Sequence, residues 1–201
     1  SILVLGHSRD HKGENFSSVK YMLTVPDLSE VRLSCNGDVF VKPMNVSDLL
    51  ISVEGSGDVK VFELTAENVR VRVAGSGDIK IAQLSSPILD LMVSGSGDIA
   101  IGKLEADAVE ATISGSGDIK VAEATKAASA IDINIIGGGG VNLSPLAADS
   151  AEINIIGSGD ARVGEVLTLD VNIIGSGDIY YAGDPEIDPT ILGSGDLNRQ
   201  R

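Results

Sequence analysis

Of the 29 acidic residues in this 201-residue chain, eight aspartates recur in one setting. The tetrapeptide Gly-Ser-Gly-Asp begins at Gly55, Gly75, Gly95, Gly115, Gly157, Gly175 and Gly193, with degenerate copies "CNGD" at Cys35 to Asp38 and "GGGG" at Gly137 to Gly140. Rows of carboxylates in Gly-rich coils can hold calcium, and two carboxylates at a defined separation can hydrolyse a glycosidic bond. Both chemistries have to be weighed against a structural role.

Calcium-binding β-rolls carry the pattern Gly-Gly-x-Gly-x-Asp with an acid about every nine residues. Here the interval is about twice that and the pattern is absent, so a calcium-binding roll is a subordinate alternative. A glycosidase or lyase needs acids and bases in different environments. Nearly every candidate acid here is a repeat element equivalent to its neighbours, which argues against a unique active site and for no catalytic residues. A polysaccharide-active enzyme stays as the other alternative. His7 and His11 are the only histidines and are expected in a mobile loop, since a pair without further ligands is a weak metal signature. Cys35, the single cysteine, is expected as a small buried thiol. No phosphate loop, nucleophile elbow or zinc spacing occurs, so no cofactor and no metal site is expected.

What positions the tetrads is a repeat. Successive copies are 20 residues apart through the first half, then 22, 20, 18 and 18. Counted from the first Gly, the fifth position reads Val39, Val59, Ile79, Ile99, Ile119, Val141, Ala161, Ile179 and Leu197, and the seventh runs from Val41 to Tyr181. Leu64, Leu84, Leu104, Leu146 and Val166 stand at the tenth, and an alternating run such as Val69, Val71, Val73 closes each repeat. Alternation in β-branched residues predicts two short strands per repeat, each with one buried face. Such a coil cannot bury its apolar side alone, so the coils must stack as parallel strands. The predicted fold is an all-β parallel β-solenoid of about nine coils, its core filled by Val, Ile, Leu and Ala, since only 3% of residues are aromatic.

The tetrads then act as corners. Glycine reaches positive φ without penalty, so Gly55 and Gly57, Gly75 and Gly77, Gly95 and Gly97, Gly115 and Gly117, Gly157 and Gly159, and Gly175 and Gly177 are assigned to structural turns. Asp58, Asp78, Asp98, Asp118, Asp160 and Asp178 share that assignment as a column along one edge. Stacked carboxylates about 5 Å apart repel by roughly 1 kcal/mol in water. Lys60, Lys80, Lys120 and Arg162, two residues further on, are expected to neutralise them, with turn amides and Ser hydroxyls supplying hydrogen bonds.

The later coils differ from the early ones. The residue before the tetrad is Glu54, Ala74, Ser94 and Ser114 at first, then Ile136, Ile156, Ile174 and Leu192. Strict alternation buries Ile135, Ile155, Ile173 and Ile191 and leaves the second set outward as an apolar interaction ridge, a route to a homo-oligomer or another partner. A corner shifted by one residue would instead tuck the set in, and sequence alone leaves both open. Asn134, Asn154 and Asn172 are aligned beside it and could form an amide ladder.

With a net charge of −14, nucleic acid and anionic lipid are disfavoured partners, while neutral glycans and basic protein surfaces remain. No stretch of 18 apolar residues spans a membrane. The opening "SILVLGH" has no start Met, which suggests a chain shortened at its N-terminus and parted from any signal peptide. Residues 1–20 are expected as a leading strand and mobile loop, and 21–201 as coils of a single domain.

The tetrads, the lead-in "YMLTVPDLSEVRLSCNGD" at Tyr21 to Asp38 and the ending "GSGDIYYAGDPEIDPTILGSGDL" at Gly175 to Leu197 together resemble the auto-transporter adhesin head domain, or GIN domain, over roughly residues 19 to 199. The resemblance implies a right-handed β-solenoid of pectin-lyase-like shape and a secreted or envelope protein, common among Bacteroidetes, with a role in adhesion. It implies a non-catalytic binding scaffold whose partner is a host or neighbouring-cell glycan or protein. Two departures stand out: most of the family's front strands are expected to be missing before "TVP", and "GGGG" predicts a wider corner in one coil.

Overall fold

The computed structural model describes residues 20–25 and 27–200; the histidine pair and most of the leading segment lie outside them. All regular elements among the described residues are β-strands, and they form two parallel ladders. Strands of the first, ladder A, end in the tetrad: Asn68–Gly75, Ile88–Gly95, Ala108–Gly115, Ala128–Gly137 and Ala148–Gly157 are typical. Strands of the second, ladder B, start just after it, as Val59–Thr65, Ile79–Ser85 and Ile99–Glu105 do. One strand of each ladder makes a turn of a parallel β-solenoid. About eight turns are complete, close to the nine coils expected.

The alternation read from the sequence is the burial pattern. Val59, Val61, Leu64, Val69, Val71 and Val73 from one turn are all buried, and the equivalent residues of the neighbouring turns stack on them in register. The described core is aliphatic throughout. Its ends are looser, with Val39 and Leu197 only partly covered because among the described residues each has a neighbouring turn on one side alone.

Register is fixed at the corners. Gly75, Gly95, Gly115, Gly137, Gly157, Gly175 and Gly193 pair in one unbroken file, although the turns between them differ in length. Two demands explain the residue type. Gly115 has φ of +142°, a region that disfavours side chains, and a Cβ there would overlap the carbonyl oxygen of Gly95. At Gly117 a Cβ would overlap the carbonyl oxygen of Gly97. The serine position between them is exposed and unconstrained. That carbonyl of Gly95 accepts both the Ser116 and the Gly117 amides, at 2.9 and 3.2 Å.

The "GGGG" corner is not wider. Gly138 and Gly139 donate to the Gly115 carbonyl at 3.0 and 3.1 Å, as the regular tetrads do. Backbone stacking sets the corner, and Gly137 and Gly139 keep the two positions that need it.

Candidate functional site

The repeat places three files of side chains where chemistry or contact is available. The first is the tetrad aspartate column. Its order comes from the backbone: Oδ1 of each aspartate before Asp196 accepts the amide of the equivalent residue one turn later. Asp58, Asp78, Asp98 and Asp118 donate in this way to Asp38, Asp58, Asp78 and Asp98 at 3.3, 3.1, 3.1 and 2.9 Å. The Gly140 amide donates to Asp118 at 2.8 Å, and the file resumes with Asp178 to Asp160 and Asp196 to Asp178 at 3.0 and 2.9 Å. Gly140 has no carboxylate to offer Asp160, so one rung is missing.

The second oxygen faces cations in part of the file. Lys80 reaches Asp78 Oδ2 at 3.0 Å, while Lys60 and Arg162 stand 4.0 Å from Asp58 and Asp160. The hydrogen bond to Asp78, then the attraction of its charge, raises the Lys80 pKa. Three expectations need correction. Among the described residues Lys120 forms no ion pair with Asp118, and the tetrad serines lie exposed with no side-chain hydrogen bond; the amide of the next turn does the work assigned to them. Cys35 is also exposed rather than buried, since the corner faces solvent at that position.

The second file was not picked out from the sequence. On the outward face of ladder A, Asp90, Glu110, Asp132, Glu152, Asp170 and Asp188 occupy successive turns in register. They line a shallow groove of about 760 Å³, beside a file of Ile88, Ala108, Ala130, Ser150, Thr168 and Glu186. Arg70 pairs with Asp90 at 2.6 Å at one end, and among the described residues the groove lining contains no basic side chain. Burial, then repulsion from Glu152, raises the Asp132 pKa, against the lowering effect of the Asn134 amide. Counting forward from each tetrad misses this file because turn lengths drift; counting five residues back from the next Gly finds it every time.

The third file is the aliphatic set. Ile136, Ile156, Ile174 and Leu192 stack in register and are 55, 50, 43 and 62% exposed. Ile135, Ile155 and Ile173 fill the core, so the corner does not tuck the outer set in. Ile191 departs from the expected pattern at 38% exposure, because the last described strand of ladder A has no turn beyond it. Between the acids and the aliphatics run Asn134, Asn154 and Asn172. They form no amide ladder: Asn134 donates to Asp132 at 2.7 Å and Asn154 to Glu152 at 3.2 Å, because a carboxylate two residues away on the same face is the stronger acceptor.

These features define a β-solenoid repeat protein that displays files of side chains on flat faces. The chain belongs to the family described as putative auto-transporter adhesin, head GIN domain, whose profile matches residues 2–131 and again 82–185. It is similar to a solved structure of a putative lipid binding protein from Parabacteroides distasonis, with 30% identity and a TM-score of 0.62 over 87% of this chain. The match spans 62% of that protein's chain. It is also similar to a putative adhesin from the same organism, with 19% identity and a TM-score of 0.75 over 89% of this chain and 94% of that one, a likeness of fold. No curated protein matches the sequence.

Proposed function

We propose that the chain is a non-catalytic binding scaffold of the cell surface or envelope, an adhesin-type domain that meets a glycan or protein partner through the outward face of ladder A. The observation that carries this is the ridge of Ile136, Ile156, Ile174 and Leu192, four aliphatics held in register and exposed to solvent. Exposed apolar files of this kind mark contact surfaces. Membership of an adhesin head family supports the reading and the location.

The groove supports binding over turnover. Its acids are equivalent by repetition, and a hydrolase needs one carboxylate protonated and another ionised beside the scissile bond. Burial and a like charge raise the pKa of Asp132. The test is to incubate the protein with a panel of polysaccharides and, in parallel, to measure its binding to immobilised glycans and matrix proteins. Binding without release of new sugar ends is the expected result. Turnover that disappears in Asp132→Asn would overturn the reading.

A further inference from the structure

The outward face of ladder A changes character along the solenoid. Four consecutive turns repeat one pattern across the strand: an acid, then Asn or Thr two residues on, then Ile or Leu two further. The sets are Asp132, Asn134 and Ile136; Glu152, Asn154 and Ile156; Asp170, Asn172 and Ile174; and Asp188, Thr190 and Leu192. Earlier turns lack it, with Arg70, Arg72 and Ala74 in the same three positions of one of them. The result is an anionic column and an apolar ridge running side by side along the axis.

The two acidic columns of the molecule are treated differently. Tetrad aspartates have backbone amides on one oxygen and, in three turns, a Lys or Arg near the other. In the groove column, Arg70 serves Asp90 alone, and Asn amides serve Asp132 and Glu152. Like charges one turn apart, with Asp132 among them partly desolvated, therefore stand without a cation partner among the described residues, beside an apolar surface that water covers poorly. A partner that relieves both must bring a basic stripe and an apolar stripe together.

We propose that this face docks a basic amphipathic α-helix of another protein, lying along the solenoid axis, with Lys or Arg over the acid column and aliphatics against the ridge. This rests on the reading of the chain as a binding scaffold and names the chemistry of its partner. The dimensions fit. Acid and ridge positions are four residues apart on an extended strand, or about 13 Å, close to the ~10–12 Å width of a helix with its side chains. Turns of the solenoid repeat about every 4.8 Å and turns of a helix every 5.4 Å, so the stripes drift by only about 2 Å over four turns. A β-strand laid along the axis would present same-side residues about 6.7 Å apart and a single narrow stripe. A second copy of this chain, itself acidic at −14, lacks the charge complementarity.

The test uses an 18-residue Lys/Leu peptide with separate Lys and Leu stripes, titrated against the whole protein. A composition-matched peptide with the stripes scrambled, and a Glu/Leu version, serve as comparisons. Tight binding of the striped peptide alone is expected. It should weaken about tenfold or more, with a shallower salt dependence, in the triple variant Asp132→Asn, Glu152→Gln, Asp170→Asn. It should weaken with unchanged salt dependence in Ile156→Ser, Ile174→Ser, and stay intact in Asp58→Asn on the other column. Each variant's melting curve reports its folding, and these surface changes leave the buried file untouched.

Equal binding of the scrambled peptide, indifference to both sets of variants, or a ridge variant that abolishes self-association instead of peptide binding would each overturn the proposal. Failure here with no polysaccharide turnover removes the helical partner and leaves the scaffold reading in place. Turnover would remove the scaffold reading itself.

Discussion

The amide of Asp118 donates to Oδ1 of Asp98 at 2.9 Å, and the two residues are one full turn of the solenoid apart. The tetrad acid is thus a stacking group: an aspartate satisfies the backbone of the next turn, and repetition builds a file of charge-assisted bonds along a corner whose first and third positions need glycine.

Loss of one rung should be measurable. Asp98→Ala removes the acceptor for the Asp118 amide and is expected to cost about 1–2 kcal/mol, read as a lower denaturation midpoint. A variant as stable as the parent would show that the bond contributes nothing net.

The glycines should divide sharply by position. Gly117→Ala drives a Cβ into the Gly97 carbonyl and is expected to cost at least about 2 kcal/mol, whereas Gly138→Ala, whose nearest neighbour is Ser158 Oγ at 3.6 Å, should be close to neutral. Equal effects at the two positions in thermal melts would contradict the stacking account.

The groove column supplies a pH dependence. Burial and Glu152 raise the Asp132 pKa in the fold above its ordinary 3.8, so its ionisation opposes folding as pH rises through the folded value. Asp132→Asn is therefore expected to stabilise the protein at pH 7, with the advantage shrinking as pH falls towards the unfolded value. Urea titrations at the two ends of that window check this, and an advantage that grows on acidification would refute it.

Calcium should be without effect. The tetrad Oδ1 atoms are engaged by amides, and Lys60, Lys80 and Arg162 approach Oδ2 of their neighbours. Melting temperatures in calcium and in chelator are expected to coincide; a rise with calcium would reinstate the ion-binding alternative.

Much of the fold was legible because its signals are local and repeated. The alternation at Val59, Val61 and Val69 to Val73 is written in the chain, and so is the need for small residues at Gly115 and Gly117. The ridge was visible as a change of residue type at Ile136. The acid column was hidden by geometry: loop length varies between the ladders, so only distance back from a corner preserves register, and Asp132, Glu152 and Asp170 align on that count alone. Hydrogen-bond choices were hidden too. Asn134 could serve Asn154 or Asp132, and only placement on one face decides for the acid.

The missing rung gives the sharpest test of the central claim. Six aspartate amides, those of Asp58, Asp78, Asp98, Asp118, Asp178 and Asp196, donate to a carboxylate one turn back, while the Asp160 amide faces Gly140. Residue-resolved amide hydrogen exchange is expected to show Asp160 exchanging about tenfold faster than Asp118 and Asp178, with Gly140→Asp restoring its protection. Equal protection at Asp160 in the parent protein would mean that the aspartates do not hold the turns together.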